Sequence, residues 1–286
     1  MTHQPLIQAR ELDARWRAQP GRTIVFDCSW ELTDPHAGRA MHEAAHLPGA
    51  HYLHLEDEMS GATNGRNGRH PLPTREAFAA RMGARGVGAD SLVVVYDSVG
   101  NPYAARAWWM LRWLGHTEVA VLDGGLAAWQ AAGLPLAQGA TPAAPARALV
   151  PAPAAVGSVD RELLLANLDG GPRLVIDARP RERFTGENDM IEKVAGHIPG
   201  ARNRFFRDNL DGTGCFKPAA QLRAEFDALT GGHPAAQLVM SCGSGVTACH
   251  NLLALELAGL AGAQLYPGSW SEWSTWPGAP VATGQA

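Results

Sequence analysis

The chain has 286 residues, a formal charge of −4 and 46% hydrophobic residues. That length is comfortable for two domains, and that charge, with no Lys/Arg-rich run, leaves no nucleic-acid footprint. No stretch approaches the ~20 uninterrupted apolar residues of a membrane span, and Met1-Thr2-His3-Gln4-Pro5 lacks the basic-then-apolar pattern of a secretory signal, so a cytoplasmic protein is expected.

Residues 6–18 carry apolar residues at helical spacing and predict an opening helix. Thr23 to Asp27 reads as a strand, His46-Leu47-Pro48-Gly49-Ala50 as a turn, and residues 60–69 as a Gly- and Asn-rich loop. Thr74 is the N-cap candidate of a helix running to Ala84; Ala77 stands where a capping box needs Glu or Gln, so the box is absent. Leu92 to Asp97 is a continuous β-branched run, a central parallel strand by composition. A helix from Tyr103 to Leu114, a strand from Val119 to Leu122 and a short helix from Leu126 to Ala131 follow. Beyond residue 133 prolines scatter among alanines and glycines and periodicity fades, which reads as a semi-extended linker.

The landmarks then repeat. Leu174-Val175-Ile176-Asp177 echoes Ile24-Val25-Phe26-Asp27, and His197-Ile198-Pro199-Gly200-Ala201 echoes His46 to Ala50. Leu238 to Cys242 echoes Val93 to Asp97, and Leu265 to Ser269 echoes Val121 to Gly125. Landmarks recurring in one order are a duplication of a whole domain. Strands alternating with helices predict, in each copy, a parallel sheet with helices on both faces and its ligand end at the carboxyl edge of the strands. The expected boundaries are a first domain over 1–140, a linker over 141–157 and a second domain over 158–286.

Chemistry concentrates in Cys242-Gly243-Ser244-Gly245-Val246-Thr247-Ala248. An apolar strand ends at Cys242, and the apolar segment from Leu252 to Leu260 reads as a buried helix. A thiol where a strand hands over to a helix N-terminus meets unpaired N–H groups and the positive end of the helix dipole, which favour a thiolate. Gly243 and Gly245 let the backbone fold tightly enough for several N–H groups to face one anion, and Thr247 adds a hydroxyl. The first copy has Asp97 at the cysteine position and Pro102 in its loop, so it is expected to have lost the nucleophile and to serve as a wall. Cys28, Cys215 and Cys249 have no motif, and no pair is spaced Cys-x-x-Cys, so neither a disulfide framework nor a metal or other cofactor is expected.

On these residues, and on Arg106-Ala107-Trp108-Trp109-Met110, Asp123-Gly124-Gly125, Asp177-Ala178-Arg179 and Gly268-Ser269-Trp270, the chain resembles the two-domain rhodanese family of sulfurtransferases from about Ile24 to about Trp273. The loop Cys242 to Ala248 is similar to that of the 3-mercaptopyruvate branch; the thiosulfate branch carries Arg and Lys just after its cysteine. Thiosulfate is a dianion with a charged leaving group, whereas a monoanionic thiol acid needs less charge near the loop. A Cys-x5-Arg phosphatase needs Arg where this chain has Ala248.

The resemblance implies two tandem rhodanese-like domains and sulfur transfer from 3-mercaptopyruvate through a Cys242 persulfide to a thiol, a thioredoxin-like protein or cyanide. The alternatives are thiosulfate as donor, or a non-enzymatic persulfide carrier. A monomer is expected. The resemblance further implies that Gly243, Gly245, Val246 and Thr247 line the substrate loop and that Arg183 holds the donor carboxylate. Arg106 is a further substrate-binding candidate, facing the space between domains with Trp30. Ser244, His70 and Glu56 match a proton-relay trio, with Asp57 an equal candidate for its acid. Asp177 and His197 are expected to fix turns. One departure stands out. The branch has a second arginine shortly before Gly-His-Ile-Pro-Gly, but residues 188–194 hold only Lys193 as a cation; Arg202 or Arg204 is the expected substitute.

Overall fold

The computed structural model describes residues 4–19 and 21–285, so the reading of Met1 to His3 lies outside the described residues. The chain packs as two units. The first comprises residues 1–61, 73–155 and 212–216; the second comprises 62–72, 156–211 and 217–286.

The first unit runs β1 (Leu6–Ile7), α1 (Ala9–Ala18), β2 (Thr23–Asp27), α2 (Ala37–Ala44), β3 (His51–Tyr52), α3 (Arg75–Ala84), β4 (Leu92–Tyr96), α4 (Pro102–Trp113), β5 (Val119–Leu122) and α5 (Gly125–Ala131). Its sheet has the order β1-β5-β4-β2-β3 and every pairing is parallel. Leu6 and Ile7, expected to open a helix, instead form an edge strand beside Val121 and Leu122. Two apolar residues gain more by completing a parallel sheet edge than by extending a solvent-washed helix. Thr74 caps α3 by accepting the Ala77 N–H at 3.1 Å, without the box. Val25, Val94, Ala120 and Leu122 pack with Leu12, Leu47 and Trp129 on one face of the sheet.

The second unit repeats this plan. It runs β6 (Gly157–Ser158), α6 (Arg161–Asn167), β7 (Leu174–Asp177), α7 (Arg181–Thr185), β8 (Arg202–Asn203), α8 (Ala219–Thr230), β9 (Leu238–Ser241), α9 (Ala248–Leu257), β10 (Gln264–Leu265) and α10 (Ser269–Trp273). The order β6-β10-β9-β7-β8 is the first unit's order again, and all its pairings are parallel. Register makes the repeat exact at the residue that matters. Asp27 pairs with Tyr96 and Asp177 with Ser241, so Asp97 and Cys242 are each the first residue past the equivalent central strand. Val175, Val239, Tyr266, Trp270 and Trp273 form the core beside them. Among the described residues, no helix is long and apolar enough to cross a membrane.

Candidate active site

Cys242 sits at the carboxyl end of β9, 2% exposed, where the loop 242–247 leads into α9. The β10–α10 turn holds that loop. Ser269 Oγ accepts the Cys242 N–H at 3.0 Å and donates to the Tyr266 carbonyl at 2.8 Å. The Trp270 and Ser271 N–H groups donate to the carbonyls of Cys242 and Gly243 at 2.9 and 2.8 Å. Gly245 has φ +75°, and a Cβ there would lie 2.3 Å from the Pro267 carbonyl oxygen, so only glycine lets the loop pass so close to this turn. Among the described residues, the N–H groups of Gly243, Ser244, Val246 and Thr247 donate to no protein group, which leaves them available to an anion at the loop.

Ser244 is buried, and its Oγ lies 2.8 Å from Nδ1 of His70, itself 4% exposed. The loop 62–72 that carries His70 belongs to the second unit, so this contact lies within one unit. Glu56 and Arg106 belong to the first unit. Glu56 is exposed in the turn after β3, next to Asp57, whose carboxylate is 3.2 Å from His54 Nδ1. Arg106 is fully buried on α4 and donates through Nη2 to the Met59 carbonyl at 3.5 Å; Trp30 is buried too.

Arg183, on α7, donates through Nε and Nη2 to the two carboxylate oxygens of Asp189 at 3.1 and 3.4 Å. Asp189 also accepts the N–H groups of Ile191 and Glu192 at 3.0 and 3.1 Å, and receives Arg179 at 3.5 Å. Its carboxylate is fully shielded from solvent, so it fixes both guanidinium groups and the loop after α7 at once. Arg179 is in turn buried against Asp177 (2.7 Å) and the Gly196 carbonyl (2.8 Å). Asp177 and His197 act as turn fixers: His197 stacks on Phe184 with its Nδ1 2.8 Å from that residue's carbonyl.

The expected substitutes for the second arginine are engaged elsewhere. Arg204 is held by Glu225 at 2.6 Å and Asn209 at 3.1 Å, and Arg202 donates to the Leu229 carbonyl. Arg202 opens β8 on the sheet edge and Arg204 follows it, and their carbonyl and carboxylate partners hold them there. The second cation at the loop is Arg69, which sequence reasoning passed over. A Cβ placed on Gly243 would lie 3.1 Å from Arg69 Nη2 and 3.6 and 3.7 Å from Arg183 Nη2 and Nη1. Two guanidinium groups therefore meet above the residue that follows the cysteine. Asp189 closes an Asx-type turn over Asp189 to Glu192, which shows only in the hydrogen bonds of the fold, and nothing local marked Arg69.

The strand-to-helix loop thus brings together a cysteine, amides that donate to no protein group among the described residues, and two arginines. Comparison with known proteins gives the class. The rhodanese-like domain model matches residues 8–132 and 160–275. The chain is 46% identical to a probable 3-mercaptopyruvate sulfurtransferase of Pseudomonas aeruginosa, over 99% of this chain and all of the relative. It is 38% identical to a putative thiosulfate sulfurtransferase, SseB, of Mycobacterium tuberculosis, over 99% and 98% of the two chains. The crystal structure of the 3-mercaptopyruvate sulfurtransferase SseA from Escherichia coli superposes with a TM-score of 0.79 at 33% identity, covering 93% of this chain and 98% of the other. The chain belongs to the rhodanese-like family, with two such domains in tandem, and is a sulfurtransferase enzyme.

Proposed function

We propose that the donor is 3-mercaptopyruvate and that Cys242 carries its sulfur. The Cys242 thiolate attacks the donor sulfur, the carbon–sulfur bond breaks, and its electron pair stays on carbon as the enolate of pyruvate. Cys242 is left as a persulfide, Cys–S–SH. The enolate takes up one proton to become pyruvate. Attack by cyanide on the terminal sulfur then gives thiocyanate and restores the thiolate; a thiol or a thioredoxin-like protein plays the same part by accepting the sulfur.

The contact of Ser244 Oγ with His70 Nδ1 at 2.8 Å carries this reading. A carbon leaving group needs a proton and a hydroxyl–imidazole pair can relay one, whereas sulfite leaves from thiosulfate as a stable anion and needs none. Glu56 as the acidic end of that relay, Arg106 as a further binding residue, a cytoplasmic location and a monomeric state complete the reading. Thiosulfate is the second reading. It is favoured by the two guanidinium groups above Gly243, which suit a dianion.

Steady-state kinetics with each donor and cyanide separate the two, and mass spectrometry after exposure to mercaptopyruvate checks the intermediate. Preference for mercaptopyruvate and one added sulfur on the Cys242 peptide are expected. Preference for thiosulfate would replace the first reading by the second, and uptake of one sulfur without turnover would make the protein a carrier.

A further inference from the structure

Arg69 lies on the loop 62–72 of the second unit. Its backbone N–H donates to Ser271 Oγ at 3.1 Å, and the Ser271 N–H donates to the Gly243 carbonyl, so the loop 62–72 is tied through one serine to the residue after the nucleophile. Gly68, at φ +83°, lets this loop come close: a Cβ there would lie 2.8 Å from the Gly268 carbonyl oxygen. Arg69 Nη1 pairs with Glu192, whose N–H is held by Asp189. Nη2 is turned to the space above Gly243, where the Arg183 guanidinium also arrives. Each arginine is thus anchored on one side by a carboxylate of the 189–192 turn and presents its remaining face to a common point.

Two like charges converging on one point repel unless an anion lies between them. Burial and the neighbouring Arg183 both lower Arg69 from its ordinary value, while Cys242 and Asp189 act in the opposite direction. Glu192 is paired with Arg69 and Asp189 with Arg183, so each carboxylate already has a guanidinium partner. The pair is therefore built to receive an anion from the loop side, next to the thiol.

We propose that Arg69 binds the anionic group of the sulfur donor together with Arg183, and that Glu192 positions it. The proposal rests on the sulfurtransferase reading but not on the choice of donor, since a carboxylate and the sulfonate end of thiosulfate both fit between two guanidinium forks.

The test uses Arg69→Gln, Arg69→Lys and Glu192→Gln in the full chain. With the preferred donor and cyanide, Arg69→Gln is expected to raise KM about tenfold or more with kcat within about threefold. Arg69→Lys should recover part of the loss, and Glu192→Gln should raise KM by a smaller factor. Titration calorimetry of mercaptopyruvate and of thiosulfate on Cys242→Ser protein, with and without Arg69→Gln, reads binding without turnover; about a tenfold weakening is expected for the donor that binds. A folded Arg69→Gln protein whose KM and affinity stay within twofold overturns the proposal. Wild-type protein that turns over neither donor overturns the functional reading instead, while the calorimetric comparison still decides Arg69.

Discussion

The loops after β4 and β9 occupy the same place in two copies of one fold and treat the same backbone groups in opposite ways. In the first unit, the Asp97 carboxylate accepts the N–H groups of Val99 and Asn101 at 2.9 and 2.7 Å on Oδ1, and those of Tyr103 and Ala104 at 3.0 and 3.1 Å on Oδ2. The anion site at the head of α4 is filled by the loop's own side chain. In the second unit, Cys242 stands at that position, its side chain accepts none of the loop amides, and the N–H groups of Gly243, Ser244, Val246 and Thr247 stay undonated among the described residues. One copy satisfies these amides with its own carboxylate and the other leaves them open to a ligand. At this register position a carboxylate fills the loop amides in one copy, and a cysteine that does not fill them stands in the other.

Breaking the comparison at its centre has the largest expected effect. Cys242→Ser should lower sulfur transfer to cyanide by about 10³-fold or more, with the melting temperature little changed, because no fold contact depends on the sulfur. The matching change in the first unit, Asp97→Ala, should do the reverse. It leaves four N–H groups without their acceptor, and urea unfolding should show a loss of ~3–5 kcal/mol.

Ser244→Ala comes next. It removes the hydroxyl that His70 meets, and kcat with mercaptopyruvate should fall by about 10²-fold, with a much smaller change for thiosulfate. Equal losses with both donors would mean that Ser244 shapes the loop and moves no proton. Asp189→Asn frees Arg183 from its anchor, and KM for the donor should rise by about three- to tenfold with kcat nearly intact.

The smallest effects sharpen the comparison by pH. Burial pushes Asp97 up to about 6 from an ordinary value of 3.8, against the pull of its N–H donors. The folded state therefore holds the proton more tightly between those values, and this contribution to stability is full below 3.8 and lost as pH rises through about 6. Glu225 in the second unit has the opposite sign. Its partial burial raises it, but hydrogen bonds from Arg204, Lys217 and Gln221 outweigh that and bring it from 4.5 down to about 2. Its contribution is present above 4.5 and lost as pH falls through about 2. Unfolding curves between pH 2 and 7 for Asp97→Asn and Glu225→Gln should each flatten their own window and leave the other.

The duplication, the parallel strands and the place of Cys242 at the end of its strand were legible in the chain itself, because each has a local signature. Ile24 to Asp27 and Leu174 to Asp177 are apolar runs closed by the same acid, and the Cys242 loop announces its glycines. Short edge strands such as Leu6–Ile7 were not, since a two-residue strand has no period to read and exists only by its pairing with Val121 and Leu122. The partnership of Ser244 and His70 was anticipated through a resemblance, and their distance came only with the fold.

Arg69 marks the boundary between the two kinds of knowledge. Which strand ends in a thiol is written in neighbouring residues, since hydrophobic period and backbone freedom act over a few positions. Which cations stand over that thiol depended on where the loop 62–72 docks and how the 189–192 turn holds its carboxylates, and those are long-range contacts that no local pattern encodes.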